Sequence, residues 1–88
     1  MAFSVYVLES DFDSKLYIGI THDLGSRLKD HNSGRVRSTK HRRPFRIVGS
    51  RQFASFEEAR RAEVELKAFK DPVRVRGWLA KLPDLRWA

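Results

Sequence analysis

The chain of 88 residues contains no cysteine, which excludes disulfides and cysteine-built zinc sites and fits a reducing, cytoplasmic setting. Histidine is scarce too, and His22, His31 and His41 lack the spacing of a zinc-ligand set. No apolar run approaches the roughly 20 residues that span a bilayer. The first apolar stretch has no basic segment before it and is broken by Glu9, so a signal peptide is not expected either. Repeats, low-complexity stretches and linkers are also missing. One further absence is local. Between Gly34 and Phe56 there is no acidic residue, while Arg35, Arg37, Lys40, Arg42, Arg43, Arg46 and Arg51 all fall there. With a net charge of +7, that asymmetry points to a polyanionic partner, and without a spanning run no membrane is expected as partner.

What is present argues for a folded chain. Hydrophobic residues make up 41%, with six Phe, two Tyr and two Trp, enough for one small core and one domain over residues 1–88. Ser4-Val5-Tyr6-Val7-Leu8 and Leu16-Tyr17-Ile18-Gly19-Ile20 read as two strands joined by a polar hairpin connection. A turn centred on Asp11 and Phe12 sets Tyr6 opposite Tyr17 on one face, since strand side chains alternate. Val5, Val7, Leu16, Ile18 and Ile20 then share the other face. Gly19, beside the two phenols, leaves room for something to approach.

Thr21 or Asp23 can cap a helix over about 24–32, with Gly34 as its stop. A basic loop over 33–44 ends at Pro44, and Phe45 to Phe53 reads as a third strand with a bend or bulge at Gly49. Ser55 and Glu58 form a capping-box pattern opening a helix to about Phe69. Its apolar positions are Phe56, Ala59, Ala62, Leu66 and Phe69. Asp71-Pro72 opens a last helix to about Leu82, partly buried through Val73, Val75, Trp78, Leu79 and Leu82, and Pro83 ends it. The order ββαβαα predicts an α+β domain with a small, mostly antiparallel sheet of three strands.

Arg27 and His31 are four apart and share one side of the first helix. Leu24 and Leu28 flank that side, so His31 points inward and Arg27 sits at its edge. Glu63 lies at the margin of the apolar stripe of its helix, where a carboxylate needs either a cation or a partner such as Arg27. Carboxylate oxygen suits a hard cation such as Mg²⁺. Arg35, Arg37, Lys40, Arg42, Arg43 and Arg46 lie within twelve residues, a density expected of a phosphate-binding surface.

These residues resemble the GIY-YIG nuclease superfamily, and in particular its small single-domain members. Tyr17-Ile18-Gly19 keeps the second motif, whereas Ser4-Val5-Tyr6 keeps only the tyrosine of the first. The stretch Thr21 to Gly34 looks like the family's helix motif with its Arg and His. Ser38-Thr39-Lys40 and Arg43-Pro44-Phe45 are similar to the loop and strand entry of the small members. Glu58 to Lys67 resembles the metal-binding helix, with Glu63 at the carboxylate position. The resemblance covers roughly residues 3–70 and leaves 71–88 as a C-terminal helix and tail.

The resemblance implies an endonuclease that uses one Mg²⁺ or Mn²⁺ ion to hydrolyse phosphodiester bonds, usually of DNA, by attack of water. Tyr6, Tyr17, Arg27, His31 and Glu63 are its catalytic set, with Glu63 as the metal ligand. Arg27 would neutralise charge in the transition state, and Tyr6, Tyr17 or His31 would be the general base. Two alternatives are a binding module without turnover and a nuclease subunit targeted by a partner. Substrate form, specificity and oligomeric state stay open at the level of sequence.

Overall fold

The computed structural model describes residues 2–69 and 71–80. Strands β1 (Phe3–Ser10) and β2 (Leu16–Thr21) lead into helix α1 (Leu24–Ser33). A short 3₁₀ turn, Lys40–Arg42, precedes β3 (Phe45–Phe53), α2 (Phe56–Phe69) and α3 (Pro72–Ala80). The strands form one antiparallel sheet in the order β2-β1-β3. The expected ββαβαα, α+β architecture is what the chain adopts. Leu82, Pro83 and Trp87 lie outside the described residues, so the expected end of the last helix does too. Among the described residues no helix is long and apolar enough to cross a membrane.

The alternation along β1 builds two cores. Val5 and Val7 face Ala59, Ala62, Leu66 and Val75, with Leu16, Ile18 and Ile20 packed against them. Tyr6 and Leu8 face the other way, onto Phe45, Tyr17 and the α1 residues Leu24 and Leu28. Fully burying a side chain such as Leu8 or Leu66 stabilises the fold by about 1.5–3 kcal/mol. The central strand is thus covered on both faces, and α1 is held against the tyrosine face.

Local signals fix the ends of these elements. Asp23 is the N-cap of α1, its carboxylate accepting from the Ser26 N–H at 3.2 Å. Gly34 closes the helix in the left-handed region at φ 86°, a conformation that costs glycine little. The Ser55 hydroxyl accepts from the Glu58 N–H at 3.2 Å at the start of α2. Opposite Val7 and Leu8 the pairing skips Val48, which forms the bulge anticipated near Gly49. The Leu79 methyls lie 3.1 Å from where a Cβ on Gly49 would stand.

Three expectations need correction. Tyr6 pairs with Gly19, and Tyr17 with Leu8, so the hairpin is shifted by two residues from the expected register. A shift of two preserves the faces. Its cause is the loop: the Ser10 hydroxyl accepts from the Phe12 and Asp13 N–H groups at 3.0 and 3.2 Å, and the Ser10 N–H reaches the Lys15 carbonyl at 3.0 Å. The loop is therefore Asp11 to Ser14. Val73 is exposed and not buried, and Phe56 is half exposed, packed edge-on against Phe3 at 5.6 Å. Both stand in the first turn of a helix, where Phe56 meets only the end of β1 at Phe3.

Candidate active site

The tyrosine face carries a chain of buried polar groups. Tyr6 Oη lies 3.0 Å from His31 Nε2, and His31 Nδ1 lies 2.8 Å from Thr39 Oγ1. Thr39 donates its hydroxyl proton to the Val36 carbonyl at 3.4 Å, so its oxygen accepts from Nδ1–H. The Nε2 lone pair then accepts from the Tyr6 hydroxyl. His31 and Thr39 are fully buried and Tyr6 nearly so. Burial first, and then the charge of Arg27, push the His31 imidazole below the usual histidine range, which keeps it neutral as this pattern requires.

Aromatic rings frame the imidazole. Tyr17 meets it edge-on at 4.8 Å, Phe45 at 5.8 Å and Tyr6 at 5.9 Å. Phe45 is itself fixed by Asn32, whose side chain donates to the Phe45 carbonyl at 3.0 Å and accepts from its N–H at 2.6 Å. One helical turn of α1 thus supplies both the imidazole and the clamp holding the start of β3. Tyr17, on the edge strand, is only half buried.

Gly19 does not leave room for an incoming molecule. A Cβ there would stand 2.5 Å from Tyr6 Oη, so the space is occupied by the phenol. Burial raises the Tyr6 pKa, and the Arg27 guanidinium opposes it without prevailing. Arg27 sits at the rim as expected, its side chain 38% exposed, with a loose contact to Asp30 at 4.0 Å and its guanidinium turned to the Tyr6 hydroxyl, an interaction that raises its own pKa.

Glu63 is buried, but its partner is not Arg27. Its two carboxylate oxygens meet Arg60 at 2.6 Å and Lys67 at 3.0 Å, both on its own helix. Burial alone would raise its pKa, but the bonds and charges of Lys67 and Arg60 together hold the carboxyl below the usual carboxylate range. Glu63 also acts on Tyr6 through its charge. Among the described residues no three His, Asp or Glu side chains converge as a metal cage. A single carboxylate does fit a hard divalent ion that keeps water and takes substrate phosphate for its other ligands. Arg60 and Lys67 are more than half exposed, free to turn outward and release Glu63.

The basic residues divide by environment. Arg42 is drawn into the fold: it pairs with Asp13 at 3.0 Å, donates to the Leu16 carbonyl at 3.5 Å and lies over the Phe45 ring. Arg46 bridges Glu9 at 3.1 Å and Asp11 at 3.6 Å while staying largely exposed. Arg35 contacts Asp30 at 3.8 Å, and Arg43 donates to the Lys40 carbonyl at 2.9 Å. Arg35, Arg37, Lys40 and Arg43 all remain on the surface.

Sequence reasoning brought Tyr6, Tyr17 and His31 together correctly, with Arg27 at their rim. It overlooked Thr39 and Asn32. Thr39 sits in a loop without periodicity, and only its place in the Ser38-Thr39-Lys40 segment marked it.

The family model of the GIY-YIG catalytic domain matches residues 2–75. A UPF0213 protein of Cupriavidus necator is 37% identical over 83 residues, covering 93% of this chain and 88% of that protein. A UPF0213 protein of Streptococcus pneumoniae is 45% identical over 69 residues, covering 77% and 69%. The solution structure of a UPF0213 protein from Bacillus halodurans superposes with a TM-score of 0.53 at 40% identity, covering 93% of this chain and 85% of that one.

Proposed function

The chain belongs to the GIY-YIG family, and from that premise we propose a divalent-metal-dependent endonuclease that hydrolyses nucleic acid, chiefly DNA, by in-line attack of water. The domain is of a nuclease family, which makes a nucleic acid its natural partner. The observation that carries the proposal is the Tyr6 hydroxyl, 3.0 Å from Nε2 of a buried histidine.

A phenol with a raised pKa is a poor standing base near neutral pH. The hydrogen-bond chain removes that difficulty. Tyr6 passes its own proton to His31 Nε2 as it takes one from the attacking water, and no free phenolate has to accumulate. Thr39 holds the Nδ1 proton, so that Nε2 is the nitrogen free to accept. Arg27 at the rim neutralises the charge that builds on the phosphate, as the guanidinium fork suits two oxygens at once. Tyr17, the more accessible phenol, orients the phosphate or the water.

Glu63 would hold one Mg²⁺ or Mn²⁺, which when bound polarises the phosphate and stabilises the leaving oxygen. Arg35, Arg37, Lys40 and Arg43 provide exposed phosphate contacts, with Arg46 and the more enclosed Arg42 beside them. The chain works as a single catalytic domain in the cytoplasm. The presence of both Arg27 and Glu63 favours turnover over binding alone.

The test is the purified protein with Mg²⁺ or Mn²⁺ on labelled single-stranded, duplex, flapped and RNA oligonucleotides. Metal-dependent internal cleavage that disappears in Glu63→Ala and Arg27→Ala is expected. Absence of cleavage on every substrate with either metal overturns the proposal.

A further inference from the structure

A cleft of about 330 Å³ opens where β1 begins and β2 ends, lined by Phe3, Ile20, Thr21, His22, Arg27 and Phe56. We propose that this cleft seats one unpaired nucleobase of the substrate strand, stacked on Phe56, next to the phosphate that Arg27 engages. The inference rests on the nuclease reading above and adds to it the form of substrate.

The argument starts from Phe56. It opens α2 and is 51% exposed, although the pattern of that helix marks it as a core position. Single exposed apolar residues are ordinary on a protein surface. This one differs in being fixed, edge-on against Phe3 at 5.6 Å with the rings 75° apart, and in sharing its cleft with the rim arginine. A fixed aromatic ring beside a cation is how sequence-tolerant nucleic-acid sites are built, because every base has a π-face.

The other lining groups agree with that occupant. Arg27 and His22 supply donors suited to phosphate, and among the described residues no carboxylate lines the cleft. The Thr21 hydroxyl is already engaged, accepting from the Asp23 N–H at 3.0 Å and donating to the Asp23 carbonyl at 3.3 Å. Little is left to read base edges, so stacking dominates and sequence preference is weak. The volume is that of a small-ligand pocket and too small for a duplex. A paired base hides both faces in its stack, so the base that enters comes from a single strand, a flap or an opened end.

The experiment uses fluorescence of single strands carrying 2-aminopurine at successive positions, bound to the full chain in EDTA so that no cleavage occurs. Wild type is expected to quench the probe at one or two neighbouring positions, and not within a duplex. Phe56→Ala and Phe56→Leu should lose the quench and bind single strands about 5- to 150-fold more weakly. Phe56→Tyr should keep both. Phe56→Leu retains apolar bulk against Phe3, so folding is preserved while the π-face is lost. Wild-type quenching and affinity in Phe56→Leu, or equal quenching in duplex, overturn the inference. Cleavage that is indifferent to Phe56 removes the cleft but leaves the nuclease reading. Position-specific stacking without cleavage in any metal does the reverse, and no binding to any nucleic acid removes both.

Discussion

The phenol of Tyr6 fills the volume that any side chain at Gly19 would need, a Cβ at residue 19 falling 2.5 Å from its hydroxyl oxygen and 2.6 Å from Cζ. The phenol is buried and its hydroxyl is held by His31, so it has no easy way to yield. Gly19→Ala is expected to destabilise the protein by about 1–3 kcal/mol through overpacking, read from urea denaturation, and to depress cleavage with it. In a Tyr6→Leu background the same change should cost clearly less. Equal costs in both backgrounds would show that the two residues do not compete for space.

The two phenols should separate in a paired substitution. Tyr6→Phe strands His31 Nε2 inside the core, so a loss of about 1–3 kcal/mol is expected, together with much of the roughly 10²–10⁴-fold that proton transfer supplies. Tyr17→Phe should barely change stability while still lowering turnover. Thr39→Val should resemble a mild Tyr6→Phe in both readouts, and Thr39→Ser should restore both. A Thr39→Val enzyme with wild-type turnover removes Thr39 from the relay.

Stability should carry the signature of His31. Its pKa is lower in the folded chain than the ordinary value of about 6.5, so below that pH the unfolded chain binds more protons. Stability is therefore complete above about pH 6.5 and falls as the pH drops through the folded-state pKa. Urea midpoints between about pH 7.5 and 5 should decline for wild type, and the slope should flatten in His31→Gln. An unchanged slope in that variant assigns the decline to other groups.

For Glu63, removal of the carboxylate or of the metal should be equivalent. Glu63→Ala, and wild type in excess EDTA, should each lose cleavage by orders of magnitude while nucleic-acid binding stays largely intact. Robust cleavage under either condition would end the metal assignment. Glu63 has its own acid signature: its lowered pKa contributes stability above about pH 4.5, lost as the pH falls through the folded value.

Basic residues should split into two groups. Arg42→Ala breaks a partly buried pair with Asp13 and its packing over Phe45, so it should cost about 1.5–3 kcal/mol of stability, the range for hydrogen bonds to charged groups. Arg37→Ala and Lys40→Ala should leave stability unchanged and reduce the salt slope of binding by about one unit for each phosphate no longer neutralised. Identical slopes in wild type and the double variant would move the binding surface elsewhere.

The legible parts of the fold were those written in local chemistry. Asp23 and Gly34 bound α1, and the alternation of Val5, Tyr6 and Val7 sorts the two faces. The hairpin register was not legible, because the Ser10 side chain lengthens the loop and no Asn-Gly or Asp-Gly pair announces a two-residue turn. In the site, residue type and spacing were enough to collect Tyr6, Tyr17 and His31, with Arg27 at the rim. Glu63 was recognised, but its ion pairs were not, since its partner was sought on another helix, at Arg27, and not one turn away on its own. Thr39 required the path of an irregular loop, and no periodic signal carries that.

The double-sided sheet has a consequence for how this protein can vary. Tyr6 and Leu8 alternate with Val5 and Val7 along the same strand, so the proposed proton path is also half of the hydrophobic interior. A library selected only for solubility would be depleted at Tyr6, Gly19, His31 and Thr39 as strongly as one selected for cleavage. Comparing the two selections would single out Arg27 and Tyr17, which are only partly buried and whose loss the fold can absorb. A catalytically dead yet well-folded form is therefore reached most readily through those two positions.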